Sequence, residues 1–183
     1  MAGNSIGLIE LTSIAAGFQV TDAMLKAADV SLVLSRSICS GKYMVMVRGD
    51  VAAVEAAVAS GTRAGHFSVI DTFVIPNLHE SVFPALSGIS KVEALEALGI
   101  VESFSVASLI EGADAAVKAA KIQLIEIRLA MALGGKAFVT LTGSVAAVQS
   151  AVEAGAQKVG AKGMLVNKVV IPSPRPELLN EMI

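Results

Sequence analysis

Few side chains in this sequence are equipped for chemistry. It holds one thiol, Cys39, and two histidines, His66 and His79, with carboxylates that never gather at a shared spacing. Cys39 lies in Ser37-Ile38-Cys39-Ser40-Gly41-Lys42. A cysteine there offers a thiolate, a soft metal ligand. The flanking Arg36 and Lys42 would favour the ionised form. A disulfide is disfavoured by the single cysteine and by a reducing compartment. No Cys-Xaa-Xaa-Cys occurs, so one chain cannot surround a metal with thiolates. The plainer reading of a solitary cysteine is a small buried hydrophobe. Neither histidine has a partner at metal-ligand spacing. Ser/His/Asp sets, paired carboxylates and phosphate loops are missing, and the Gly-rich segments lack the spacing of a nucleotide fingerprint. Neither catalysis nor nucleotide binding is therefore expected.

What gives Cys39 weight is that the chain is one module written twice. Gly7-Leu8-Ile9-Glu10-Leu11-Thr12-Ser13 returns as Gly99-Ile100-Val101-Glu102-Ser103-Phe104-Ser105, an offset of 92. The same offset aligns Asp22-Ala23-Met24-Leu25-Lys26-Ala27-Ala28 with Asp114-Ala115-Ala116-Val117-Lys118-Ala119-Ala120, and Arg36 with Arg128. An offset of 94 aligns Gly49-Asp50-Val51-Ala52-Ala53-Val54 with Gly143-Ser144-Val145-Ala146-Ala147-Val148, and Val74-Ile75-Pro76 then meets Val170-Ile171-Pro172. A period this long is a duplicated domain, not a solenoid repeat. The second copy lacks the thiol: Leu129-Ala130-Met131-Ala132-Leu133-Gly134-Gly135-Lys136 sets Met131 against Cys39. Glu10 and Glu102 fall at equivalent strand positions, which points to a structural role in each copy.

Composition bounds the class. Of 183 residues, 16% are charged and the formal net charge is −2. The balance and the single tyrosine argue against nucleic acid, which calls for clustered Lys/Arg and stacking aromatics. The longest uncharged stretch, Ala137 to Val152, contains Thr, Gly, Ser and Gln and is too short for a membrane span. Met1–Gly7 shows neither a basic leader nor an apolar signal segment, so a cytosolic location is expected. With so little charge, much apolar surface should be buried between subunits.

Each copy reads as strand, helix, strand, strand, helix, strand. The first strand is Gly7–Ser13. A helix through Thr21–Ala28 puts Val20, Met24 and Ala27 on one face. Val30–Ile38 and Lys42–Arg48 are strands around the Gly41 turn. Asp50 should cap the helix Val51–Ala64 by accepting its free N–H groups, and Ser68–Ile75 closes the copy. This is the α/β (α+β) ferredoxin-like βαββαβ order. It divides the chain into domain 1 (1–86), a linker (87–98) and domain 2 (99–183), with one or two short helices in His79–Leu98 around Ser87-Gly88.

These motifs, present in both copies and spanning essentially the whole chain, resemble bacterial microcompartment shell domains: Gly-Xaa-Xaa-Glu, Asp-Ala-Xaa-Xaa-Lys-Ala-Ala, Gly-Lys before the third strand, Gly-Asp-Val-Ala-Ala-Val and Val-Ile-Pro. Two in tandem resemble the trimeric, pseudohexameric class. Ser-Ile-Cys-Ser-Gly-Lys is similar to the iron–sulfur-carrying T-type shell proteins of propanediol-utilisation microcompartments.

The resemblance implies a homotrimer whose six domains form a flat ring. Such rings tile with other hexameric shell proteins in a mixed facet, inside the bacterial cytoplasm. It places Lys26 and Lys118 at tile edges, with Arg175 in Pro172-Ser173-Pro174-Arg175-Pro176 and His79 in the matching place after the first copy. A solvated helix face is the plainer reading of such lysines. It also makes pore loops of Ser37, Ile38, Cys39, Ser40 and Gly41, and of Ala130, Met131, Ala132, Leu133, Gly134 and Gly135. Three Cys39 thiolates around one axis would hold three irons of a 4Fe-4S cluster, one per trimer, serving an enclosed redox enzyme. Two alternatives stay open: a shell protein with a metabolite-gating pore and no cluster, and a soluble small-ligand-binding regulator, which would need convergent polar groups.

Overall fold

The structure is a computed structural model describing residues 3–88, 90, 92, 95–130, 133–175 and 177–180. In the first copy the apolar run Ser5–Leu11 forms β1. Ser13 then starts α1 (Ile14–Ala27), its Oγ accepting the Ala16 N–H at 3.3 Å, which satisfies one of the donors a helix start leaves open. β2 (Ser31–Ile38), a single 3₁₀ turn (Cys39–Gly41) and β3 (Lys42–Gly49) follow. Then come α2 (Val51–Gly65), a second 3₁₀ turn (His66–Ser68) and β4 (Val69–Ile75). The sheet runs β2-β3-β1-β4, with every neighbouring pair antiparallel. This is the expected βαββαβ order.

Alternation along β3 explains the core. Tyr43, Val45 and Val47 join Ile9 and Leu11 of β1, Val20 and Met24 of α1, and Val54, Ala57 and Val58 of α2 in one buried cluster. Period-2 strand residues thus meet period-3.6 helix residues. Gly7 lies under α2, where a Cβ would overlap Val54 and Val58. Ala27 is exposed, so the buried face of α1 is Gly17, Val20 and Met24 instead of Val20, Met24 and Ala27. The expected Asp50 cap is also corrected. Asp50 occupies the N-cap of α2 but makes no side-chain hydrogen bond to it, its exposed carboxylate staying in solvent. The equivalent Ser144, with a shorter side chain, does accept the Ala147 N–H, at 3.4 Å.

The second copy has the same plan: β5 (Ala97–Ser103), α4 (Val106–Ala119), β6 (Gln123–Leu129), β7 (Ala137–Gly143), α5 (Val145–Gly160) and β8 (Leu165–Pro172). Its sheet is ordered β6-β7-β5-β8. α4 and α5 approach closely at Gly112 and Gly155, where a Cβ on Gly155 would come within 2.9 Å of the Gly112 carbonyl oxygen. A short helix, α3 (Val82–Leu86), precedes β5, and α6 (Glu177–Asn180) follows β8.

By contacts the chain divides into Met1–Leu78 and His79–Ile183. Residues 79–86, grouped from sequence with domain 1, fall in the second unit because α3 packs on β6 and α4. Only one helix, α3, is seen between His79 and Leu98 among the described residues, and Gly88 follows it with a left-handed φ of 67°.

Candidate functional site

The Cys39 loop is a tight hairpin turn between β2 and β3, whose last ladder pair is Ile38 with Lys42. Ile38 is buried, Cys39 is half-buried, and Ser37, Ser40 and Gly41 are exposed. Two successive left-handed residues reverse the chain, Ser40 at φ 63° and Gly41 at φ 73°. Glycine takes that conformation freely, whereas Ser40 holds it at a cost. In the second copy Ala130 (φ 48°), Gly134 (φ 60°) and Gly135 (φ 87°) make the turn. The Ala130 N–H donates to the Lys136 carbonyl at 3.1 Å, and the Lys136 N–H to the Leu133 carbonyl at 3.1 Å. Met131 and Ala132 lie outside the described residues, so the contrast of Cys39 with Met131 rests on the sequence.

Each loop is braced at its base by the same ion pair. Lys42 Nζ meets Glu10 Oε1 at 2.8 Å, and Lys136 Nζ meets Glu102 Oε1 at 2.6 Å. The structural role expected of the two glutamates is thereby located. The pairing also corrects one expectation: the Lys42 ammonium is held by Glu10, which compensates the charge it would bring to Cys39.

A hydrogen-bonded chain anchors the Cys39 hairpin and has no counterpart in the second copy. Tyr43 Oη lies 2.9 Å from Ser35 Oγ, and Ser35 Oγ lies 2.8 Å from Thr21 Oγ1. The Thr21 hydroxyl also donates to the Gly17 carbonyl at 2.7 Å. The equivalent positions are Ala137, Ile127 and Ala113. This anchor was missed from sequence. Its one visible signal was three polar residues standing where the other copy has apolar ones.

The paired arginines differ as well. Arg128 binds Glu126 at 2.8 Å and lies over the Phe138 ring, 5.5 Å from its centroid. Arg36 has Leu34 where Arg128 has Glu126. Its Nε is buried with no hydrogen-bond partner among the described residues, and this burial pushes its pKa down.

The four residues expected at tile edges do not share one setting. Lys26 pairs with Asp22 at 2.7 Å and Lys118 with Asp114 at 2.6 Å, each one helical turn away. The His79 backbone N–H donates to Asp114 Oδ1 at 2.7 Å, and its ring Nδ1 lies 2.9 Å from Ser81 Oγ. Arg175 pairs with Glu177 at 3.2 Å. Among the described residues, no group of three or more His, Cys, Asp or Glu could hold a metal within one chain, and no helix is long and apolar enough to cross a membrane.

The BMC domain family model matches twice, over residues 5–78 and 97–174. The chain belongs to the BMC domain family. It is 44% identical over 179 residues to the bacterial microcompartment shell protein PduT of Citrobacter freundii, covering 98% of this chain and 97% of that one. The carboxysome assembly protein CcmO of Synechocystis is 31% identical, with 92% of this chain and 61% of the relative covered. A crystal structure of a microcompartment protein from Desulfitobacterium hafniense superimposes with a TM-score of 0.94 at 50% identity, covering 96% and 98% of the two chains. This BMC protein is therefore a structural shell protein of a bacterial microcompartment in the cytoplasm, not an enzyme.

Proposed function

We propose that three copies of this shell protein close into a ring that holds one 4Fe-4S cluster through Cys39 of each chain, and that the cluster passes electrons across the shell. The observation that carries this reading is the position of the only thiol. It is half-buried in the turn between two core-anchored strands, in one copy of a duplicated domain. One chain supplies one soft ligand, and three chains around an axis supply three, a donor set suited to iron and sulfide. When bound, the cluster supplies one-electron redox chemistry. The chain's own residues bear on where the thiol stands: Glu10 and Lys42 brace the base of its loop, and Tyr43, Ser35 and Thr21 tie the strands to α1.

The same reading puts Lys26, Lys118, His79 and Arg175 at the edges facing other hexameric shell proteins, and makes an enclosed redox enzyme the source or sink of the electrons. Anaerobic reconstitution with ferrous iron and sulfide, followed by native mass spectrometry and EPR of the reduced protein, tests it. About one cluster per three chains is expected, with loss of the signal in Cys39→Ser. A signal that survives the substitution overturns the assignment. So does a wild-type trimer that takes up no iron, the result expected of a pore without a cluster.

A further inference from the structure

The two copies part company around their paired arginines. Arg36 on β2 and Arg128 on β6 fall at the same ladder position, opposite Met44 and Phe138. Arg128 is held there by Glu126, at 2.8 Å, and by the Phe138 ring. In the first copy both supports are gone: Leu34 stands in place of the carboxylate and Met44 in place of the ring. Arg36 Nε is buried with no hydrogen-bond partner among the described residues. None of the ion pairs seen there includes Arg36.

A partly buried guanidinium without a counter-charge costs stability, because nothing offsets its desolvation. The copy that carries this cost is also the copy that carries the thiol. Arg36 stands two ladder positions from Ile38 and Lys42, the last pair before the Cys39 turn. That is about 7 Å along the strand, inside the roughly 8–10 Å over which charges still act on one another in salt. Lys42, the other cation flanking Cys39, already has its partner in Glu10. Of the two, Arg36 alone lacks a counter-charge.

We infer that Arg36 is the counter-charge to the anionic group held by Cys39, and that its three copies raise the reduction potential of a cluster bound there. This role rests on the cluster reading above and adds to it the residue that sets the potential. Three thiolates make the bound group an anion, and an accepted electron adds negative charge, a quantity to which such potentials respond. A nearby cation stabilises the more negative, reduced form further, so it favours uptake of the electron. The electron is delivered by the enclosed redox enzyme, while the guanidinium neither gains nor loses a proton.

Redox titration of the reconstituted trimer, followed by EPR, tests it. In Arg36→Met the ratio of reduced to oxidised cluster at a fixed potential should fall about tenfold, equivalent to about 59 mV for one electron. Leu34→Glu gives Arg36 the carboxylate that Arg128 has in Glu126, and should lower the ratio with the guanidinium left in place. It reports the charge even where Arg36→Met takes up no cluster. Arg36→Lys keeps the charge and should stay near wild type. So should Leu34→Gln, which has the shape of the glutamate without its charge. A wild-type ratio in Leu34→Glu overturns the inference, as does a fall in Arg36→Lys as large as in Arg36→Met. A wild-type protein that takes up no cluster removes the cluster reading and this role with it. A wild-type cluster whose potential ignores the substitutions removes this role alone.

Discussion

Lys42 Nζ is bonded to Glu10 Oε1 at 2.8 Å, and the bond recurs between Lys136 and Glu102 at 2.6 Å although the second loop is two residues longer and has no cysteine. The loops have diverged in length and chemistry while the brace beneath them has not. It joins the first β3 residue, or in the second copy the residue just before β7, to the middle strand of the sheet.

The brace should be measurable against an exposed pair in the same chain. Glu10 and Lys42 are both partly shielded, so a double-mutant cycle with Glu10→Gln and Lys42→Met should give a coupling of about 0.5–1 kcal/mol in urea unfolding. The same cycle on Asp22 and Lys26, both well exposed, should give no more than about 0.3–0.5 kcal/mol. Equal couplings would mean that the brace is an ordinary surface pair.

Gly17→Ala should destabilise the first copy in spite of alanine's better helix propensity. A Cβ at Gly17 would overlap the ring of Tyr43, which packs edgewise on the helix and meets Phe18 with centroids 5.4 Å apart. A ring fixed by its hydroxyl bond to Ser35 has little room to move, so the cost should be about 1–3 kcal/mol. Differential scanning calorimetry would show it, and an unchanged or higher melting temperature would mean that the ring yields.

The order of elements was legible because each was written twice, so that an ambiguous apolar run in one copy could be checked against its partner. Strand and helix limits then followed from Gly-Lys, Gly-Asp and Val-Ile-Pro. What stayed hidden were links between distant residues. Nothing in the spacing of Thr21, Ser35 and Tyr43 announces a hydrogen-bonded chain, since they come from a helix and two strands brought together only by the sheet register. The Asp50 cap was misread because residue type alone does not say whether a carboxylate turns to the helix or to water. Ala27 was placed on the core face by periodicity, but the last turn of α1 runs past the edge of the cluster. The repeat located both loops; the lysine partners of Glu10 and Glu102 emerged only once β1 and β3 were paired.

Arg36 and Arg128 should respond oppositely to the same change. Arg36→Met removes a guanidinium whose Nε is buried without a partner among the described residues and whose charged form is disfavoured by burial, so it should be neutral or mildly stabilising. Arg128→Met loses the bond to Glu126 and the contact with Phe138, and should cost about 1 kcal/mol. Urea midpoints of the two variants decide it. A loss at Arg36 as large as at Arg128 would show that Arg36 has a partner the single chain does not supply.

Lys26→Ala tests the edge assignment without touching the core. Its ammonium projects from an exposed turn of α1 and, among the described residues, pairs with Asp22 one turn back, so the substitution should change the fold's stability by less than about 0.5 kcal/mol. The proposed trimer should survive as well, since on this reading the lysine meets the neighbouring ring and contributes nothing to closure of its own. Loss should appear one level up, as fewer or smaller sheets by electron microscopy at a protein concentration where the wild type tiles. Lys118→Ala should act in the same direction, and the double variant more strongly, because each ring would present both lysines three times. Extended sheets from the double variant, equal to wild type, would return both lysines to the role of solvated helix residues.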